Sequence, residues 1–203
     1  MALQPSLSPL IVAGNENAPH TLEVYLDFVC PYSAKMSRTI DSVITPLISS
    51  GGKYDCKVKV IFRPQIQPWH ASSMLTHEAA LAALRASPDQ FWTFSRLLFD
   101  HQEEFFDRQC LNLTIQQIRD KLTDLASQVL SPGKVDEFRD LLTMKGTPNG
   151  GIPVTDDLKY NLKVARHNSI HVSPTALWNG LVASEVSSSW AEKEWNEFFA
   201  SKI

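Results

Sequence analysis

Asp27-Phe28-Val29-Cys30-Pro31-Tyr32-Ser33 places a cysteine between the end of an apolar strand and the start of an amphipathic helix. The strand is predicted from the apolar run at residues 22–29. The helix is predicted from apolar residues at helical spacing, namely Met36, Ile40, Val43, Ile44, Leu47 and Ile48. Because amides and the macrodipole at a helix start favour negative charge, this position can lower a cysteine pKa to about 3.5–7.5. Cys30 is therefore the candidate nucleophile.

The segments around this motif predict a βαβ unit. Pro46 lies inside the helical pattern and costs a backbone hydrogen bond, so we expect the helix to kink or end near it. Gly51 and Gly52 close the segment, and residues 57–62 (KVKVIF) supply a second strand. Strand, helix and strand follow one another within about 40 residues, as in a parallel crossover unit.

A long helical block follows the second strand, and we place it at about residues 66–145. Thr114 and Gln117 form a capping-box pattern, and Ser131-Pro132 is a typical N-cap followed by a first-turn proline. The glycine- and proline-rich segment 146–153 is predicted to be a loop.

The C-terminal part of the chain returns to mixed structure. Residues 156–167 predict a helix, and Asn179-Gly180 between two apolar runs predicts a β-hairpin. Ser189 and Glu192 form a second capping-box pattern, which predicts the start of a terminal helix.

This order of elements resembles the DsbA-like thiol-disulfide oxidoreductases, which have an α/β thioredoxin fold. The resemblance rests on the Cys-Pro-Tyr-Ser motif, the aromatic segment Phe91–Phe99 and Ser173-Pro174-Thr175 before the hairpin. It implies one domain over residues 1–203, with the helical insertion between a βαβ unit and a C-terminal ββα unit. It also implies that the Ser173–Pro174 bond is cis and that this loop faces Cys30.

The same resemblance implies the remaining site residues. Pro31, Tyr32, Ser173 and Pro174 would contact substrate, with the Ser173 backbone pairing with an extended peptide or glutathione. Two departures from the family matter. Ser33 stands where dithiol enzymes carry a second cysteine, and Val24 stands where some thioredoxin-fold relatives bury an acid.

Several other residues admit a structural reading. The Ser33 hydroxyl either donates a hydrogen bond to the Cys30 sulfur or serves only in the first turn of the helix. The free thiols Cys56 and Cys110 are expected to be structural or incidental. His171 is expected to be a solvated loop residue, and Asp27 to cap or pair locally. No metal-ligand spacing is present, so neither a metal nor a tightly bound cofactor is expected.

Composition limits the partners and the location. A net charge of −3 gives no general attraction for nucleic acid or an anionic membrane, and no apolar run reaches the roughly 18 residues of a membrane helix. With no basic leader, a cytoplasmic location is expected. The tail Ser201-Lys202-Ile203 resembles a peroxisomal address and offers an alternative. The oligomeric state stays open.

Three functions follow from these observations. The first is a monothiol oxidoreductase in which Cys30 attacks disulfides or glutathione mixed disulfides and an external thiol, glutathione, resolves the product. The second is a glutathione transferase or isomerase similar to the kappa class, with Ser33 activating glutathione. The third is a thioredoxin-fold protein that binds a peptide or partner without turnover.

Overall fold

The computed structural model of the protein describes residues 3–144 and 146–203, so Lys145, the predicted end of the helical insertion, lies outside the described residues. A mixed five-stranded sheet lies at its centre, with strand order β1-β3-β2-β4-β5. The strands are β1 (Ile11–Gly14), β2 (His20–Leu26), β3 (Val58–Pro64), β4 (Thr175–Trp178) and β5 (Leu181–Val182).

The predicted βαβ unit is confirmed by the pairing of its two strands. β2 runs parallel to β3, in register from His20 opposite Val58 to Leu26 opposite Pro64. β2 ends at Leu26 rather than at residue 29, because Asp27 to Val29 form the turn into the helix. The short edge strand β1, antiparallel to β3, was not predicted, since four residues are too few to show a period.

Helices cover both faces and form most of the insertion. Those before and within the insertion are α1 (Pro31–Thr39), α2 (Thr45–Ile48), α3 (Ser73–Ala86), α4 (Phe91–Asp100), α5 (Asp107–Cys110), α6 (Ile115–Ala126) and α7 (Pro132–Leu141). The helices after it are α8 (Thr155–His167) and α9 (Glu192–Lys202). Over the described ranges, none of the helices is long and apolar enough to cross a membrane.

The helical segment after Cys30 changes its hydrogen-bond pattern just before Pro46. Residues Ile40–Ile44 form a π-helical segment between α1 and α2, and the Thr45 amide donates to the Ile40 carbonyl, five residues back. In an α-helix, a proline ring clashes with the carbonyl four residues before it. Here the wider π segment lies immediately before α2, the helix that contains Pro46. The predicted disturbance near Pro46 therefore takes the form of a π segment.

One of the two predicted capping boxes is present at its predicted position. The Thr114 hydroxyl accepts from the Gln117 amide while the Gln117 side chain accepts from the Thr114 amide. The prediction for the last helix is wrong by two residues. Its N-cap is Ala191, whose amide donates to the Glu194 carboxylate, so Ser189 lies outside the helix.

The predicted C-terminal hairpin is formed by β4 and β5. Asn179 and Gly180 both have positive φ, 49° and 86°, which the type I′ turn requires. β4 pairs antiparallel with β2, and this pairing brings the chain just before Thr175 to the end of the sheet where Cys30 lies.

A buried ion pair joins the two parallel strands on the α8 side of the sheet. The Arg63 Nε atom lies 2.7 Å from Glu23 Oε2, and both side chains are almost fully buried. The two terminal guanidinium nitrogens of Arg63 have no hydrogen-bond partner among the described residues. The attraction between the Arg63 and Glu23 charges therefore offsets the cost of removing each of them from water.

Replacing Arg63 alone is expected to leave a buried charge without a partner. We expect Arg63→Met to lower the free energy of unfolding by about 3–5 kcal/mol, measured by urea denaturation. The double variant Glu23→Leu, Arg63→Met should recover most of that loss because no charge stays uncompensated. The exposed pair of Arg139 and Asp136 provides the control, since Arg139→Met should change stability by less than about 1 kcal/mol. A double variant as unstable as the single one would contradict this account.

Candidate active site

Cys30 is the N-cap of α1, with extended backbone angles and no side-chain capping bond. Pro31 occupies the first helical position, where its missing N–H costs nothing. The Cys30 sulfur is partly buried and lies 3.4 Å from the Ser173 carbonyl oxygen. The Ser173–Pro174 peptide bond is cis. The structure thus brings together the predicted nucleophile and the predicted cis-proline loop.

The surface around this sulfur is open and partly apolar. Pro31 and Tyr32 are exposed on the first turn of α1, Tyr32 by 67%. Val172, next to Ser173 in the loop, is 56% exposed. The turn itself is fixed from below, because the Gln102 side-chain amide donates to the carbonyls of Phe28 and Cys30.

Asp27 lies at the centre of a buried hydrogen-bond network beneath Cys30. Its fully buried carboxyl group accepts from the Val29 amide at 2.9 Å. It also accepts from the Gln67 amide and from the Ser73 hydroxyl, each at 2.7 Å. The prediction that Asp27 pairs locally is confirmed for Val29, while the two distant partners were not foreseen.

Gln67 carries this network to the cis-proline loop. Its side-chain amide donates to the Ser173 hydroxyl at 3.0 Å. The backbone of Gln67 is therefore fixed by Asp27, and its side chain fixes Ser173. A single buried carboxyl group thus connects the turn that carries Cys30, through Gln67, to the loop that faces it.

The Ser33 side chain serves in the first turn of α1 and does not bond to the Cys30 sulfur. Its side chain is fully buried in the first turn of α1, and its hydroxyl oxygen accepts from the Asp27 amide at 3.1 Å. Within the described chain it forms no hydrogen bond to the Cys30 sulfur. The hydroxyl therefore stabilises the strand-to-helix turn.

The strand before the motif does contain a buried acid, although Val24 occupies the position considered from the sequence. Glu23, one residue earlier, is buried and paired with Arg63, and Asp27 is buried three residues before Cys30. His77 Nε2 lies 3.9 Å from the Asp27 carboxyl, and burial lowers the pKa of His77 to about 4. His77 is therefore neutral at pH 7.

The other two cysteines lie elsewhere, and the pKa of each thiol is raised above its ordinary value. A hydrogen bond to Asp55 raises the pKa of exposed Cys56, and burial raises the pKa of Cys110. Cys56 precedes β3 at the opposite end of the sheet from Cys30, a seven-residue strand or about 20 Å away. A disulfide needs Cα atoms within about 7 Å, so Cys56 does not reach Cys30 in this fold.

The remaining predictions concern His171 and metals. His171 is exposed in the loop before Ser173, as expected for a solvated residue. Among the described residues, no group of three or more histidine, cysteine or acidic side chains is arranged to hold a metal ion.

The sequence profile of the thioredoxin family matches residues 8–191, which is most of the chain. The chain belongs to the thioredoxin family. Among curated proteins, no sequence matches this thioredoxin-family chain.

Solved structures give the same fold. A candidate protein-disulfide isomerase from Pseudomonas syringae is 27% identical, with a TM-score of 0.70, covering 92% of this chain and 95% of that protein. Oxidised BdbD from Bacillus subtilis is 22% identical, with a TM-score of 0.65 and coverage of 98% and 95%. MdbA, a thiol-disulfide oxidoreductase from Corynebacterium diphtheriae, is 18% identical, with a TM-score of 0.64 and coverage of 92% and 90%. The DsbA-like thioredoxin fold is confirmed.

Three residues of this site were missed by sequence reasoning. Gln67, Gln102 and His77 come from the insertion side of the site, 37 to 72 positions away from Cys30 along the chain. Glutamine and histidine in helices or loops carry no local signal of such contacts. Only the fold shows that they converge beneath the motif.

Asp27→Asn tests the hydrogen-bond network. Each carboxyl oxygen of Asp27 accepts from a backbone N–H. In either orientation of the asparagine amide, its NH2 group would face one of these N–H groups, which leaves a donor against a donor. We expect the free energy of unfolding to fall by at least about 1.5 kcal/mol, measured by urea denaturation. The control is Asp124→Asn, at an exposed residue, which should have little effect. Equal stability of both variants would refute the network.

His77 should make the fold sensitive to mild acid. Its pKa is about 4 in the folded state against 6.5 for an ordinary histidine, so between these values the unfolded chain binds more protons. Above pH 6.5 the neutral His77 costs no free energy of protonation. As the pH drops from 6.5 to 4, the preference of the unfolded chain for the proton lowers the free energy of unfolding by roughly 3 kcal/mol. His77→Leu should reduce the difference in unfolding free energy between pH 7 and pH 5. His167→Leu, at an exposed histidine, should leave that difference unchanged.

Proposed function

We propose that this protein is a monothiol thiol-disulfide oxidoreductase that uses Cys30 and depends on glutathione. The supporting observation is the position of the Cys30 sulfur, which lies at the N-cap of α1 and 3.4 Å from the carbonyl of Ser173 beside the cis-proline. The Cys30 sulfur thus lies between the exposed first turn of α1 and the exposed cis-proline loop, where a disulfide can approach it.

The reaction needs two exchanges. The Cys30 thiolate attacks one sulfur of the substrate disulfide, a new S–S bond forms, and the other substrate sulfur leaves as a thiolate that takes up a proton. A glutathione thiolate then attacks the mixed disulfide and Cys30 leaves as the thiolate. The external thiol is required because position 33 holds a serine whose hydroxyl is buried in the turn.

The cis-proline loop would hold the substrate during these steps. Ser173 precedes β4 and its carbonyl faces the sulfur, so an extended peptide or the backbone of glutathione can pair with it in the manner of an added strand. Tyr32 and Val172 supply exposed apolar contacts on either side. In this proposal Pro31, Tyr32, Ser173 and Pro174 form the substrate-contacting surface, and a cytoplasmic location would supply the glutathione.

Two other functions were considered from the sequence. In the kappa-class alternative, Ser33 activates glutathione as a nucleophile. Its fully buried side chain and its bond to the Asp27 amide give that role no support. In the binding-only alternative, the fold holds a partner without exchange, and the thiol is dispensable. Both alternatives predict that Cys30 is not needed for chemistry, so one experiment separates them from our proposal.

Intact-mass measurement after exposure to oxidised glutathione tests the proposed function. We expect one glutathionyl group, mapped to Cys30 by peptide analysis, and little at Cys56 or Cys110, where raised thiol pKa values lower the thiolate fraction. Reduced glutathione should remove the group. Ser33→Cys should instead give an intramolecular disulfide with Cys30 and a gain in insulin reduction, because the dithiol spacing is restored.

The Cys30→Ala background provides the control for both measurements. It should abolish the mass gain and the benefit of Ser33→Cys. If wild type conjugates glutathione to an electrophile and Cys30→Ala retains that activity, the transferase function is correct. If neither activity appears and Ser33→Cys forms no disulfide, the site serves binding alone.

A further inference from the structure

A groove of about 570 Å³ lies beside the active site, between α8 and the segment that joins β3 to α3. We call it the α8 groove. Its volume falls within the range of small-molecule sites, about 300–1,000 Å³. Neither Cys30 nor Ser173 lines it, so it is distinct from the surface that surrounds the sulfur.

The walls of the α8 groove are largely apolar. Leu158 and Leu162 project from α8, and Ile170 comes from the segment before the cis-proline loop. Opposite them lie Trp69 and Met74, which are 61% and 43% exposed. Large side chains left this open to water indicate a surface that accepts an apolar ligand.

The charges at the rim favour an anion. Arg166 lines the groove, is exposed, and forms no ion pair within residues 3–144 and 146–203. His70 also lines it, and its ring lies 2.8 Å from the carboxylate of Asp107, which is outside the groove. No aspartate or glutamate is found among the described residues that line the groove. A ligand carboxylate at Arg166 would therefore meet an unpaired guanidinium, and no carboxylate lines the groove beside it.

The groove adjoins the cis-proline loop that faces Cys30. His171 lines the groove and lies two residues before Ser173, so the groove begins within about 8 Å of the residue that faces the sulfur. On the opposite wall, Ile66 and Pro68 line the groove while Gln67, between them, binds the Ser173 hydroxyl. Both segments that line the groove therefore also reach the cis-proline loop that faces the sulfur.

We propose that the α8 groove binds the apolar, carboxylate-bearing part of a low-molecular-weight disulfide, with the carboxylate at Arg166. The assignment of this occupant as a substrate rests on the proposed function. In the exchange, the Cys30 thiolate would attack the disulfide sulfur nearer the cis-proline loop. The other half would leave as a free thiolate. Arg166 would act as a specificity-determining residue and takes no part in bond making.

Binding of a simple carboxylate tests the groove without any thiol chemistry. The probes are octanoate and its uncharged counterpart octanamide, titrated calorimetrically into the full-length protein. We expect octanoate to bind more tightly than octanamide, and Arg166→Gln to weaken octanoate by about fivefold while leaving octanamide unchanged. Met74→Glu should also weaken octanoate by placing a carboxylate on the wall. Lys163→Gln, at an exposed residue of α8 that does not line the groove, is the matched control.

A disulfide pair tests the link to Cys30. In a Cys56→Ser, Cys110→Ser background, 5,5′-dithiobis(2-nitrobenzoate) carries the aromatic carboxylate and 4,4′-dithiodipyridine lacks it. We expect Arg166→Gln to slow the first reagent severalfold and to leave the second unchanged. Octanoate should protect Cys30 from the carboxylate reagent.

The possible results separate the groove from the proposed function. Equal binding of octanoate and octanamide, or no loss with Arg166→Gln, would overturn the groove proposal even if glutathione modifies Cys30. Octanoate binding that depends on Arg166 without any effect on Cys30 reactivity would overturn the assignment of the ligand as a substrate. Failure of Cys30 to accept glutathione would count against the proposed function and the assignment of the occupant as a substrate. It would leave carboxylate binding in the groove intact, because octanoate binding needs no thiol.

Discussion

The arrangement of the active site depends on the buried carboxyl group of Asp27. It accepts hydrogen bonds from the turn that carries Cys30, from the segment after β3 and from the first turn of α3. The turn is about 40 residues from the other two segments along the chain, and apolar packing, which is non-directional, would not by itself fix their relative positions. Because hydrogen bonds are directional, the carboxyl group fixes the distance between the Cys30 sulfur and the loop that Gln67 holds in place. The sheet brings these parts into the same region, and Asp27 sets their final geometry.

The replacement of a second thiol by Ser33 changes the turn as well as the chemistry. A cysteine at this position is free to exchange with its neighbour, whereas the Ser33 hydroxyl is committed to the Asp27 amide and is buried. The serine therefore adds to the same network that positions Cys30. In the proposed function, the serine that helps to fix the turn also leaves Cys30 without an adjacent resolving thiol, so an external thiol is needed.

Local patterns were enough to predict most of the elements, but they did not show the contacts beneath the site. The βαβ unit, the hairpin at Asn179-Gly180 and the Thr114 capping box each have a signature within a few residues. The pairing of Glu23 with Arg63 and of Asp27 with Gln67 joins residues 40 positions apart, and no local period encodes it. The start of α9 was misplaced because Ser189 and Glu192 match the capping-box pattern, whereas the N-cap is Ala191, whose amide donates to Glu194. Sequence reasoning found the sulfur and its loop, and the fold supplied what holds them.

The missing cap of α1 links the stability of the helix to the oxidation state of the sulfur. Cys30 occupies the N-cap without a side-chain capping bond, so the first amides of the helix lack the acceptor that serine or aspartate would supply. A thiolate there can accept these bonds, whereas a sulfur in a mixed disulfide carries no charge and accepts them weakly. By thermodynamic linkage, whatever free energy the helix gains from the thiolate is lost when the mixed disulfide forms. In the proposed exchange, this loss would favour release of the mixed-disulfide intermediate.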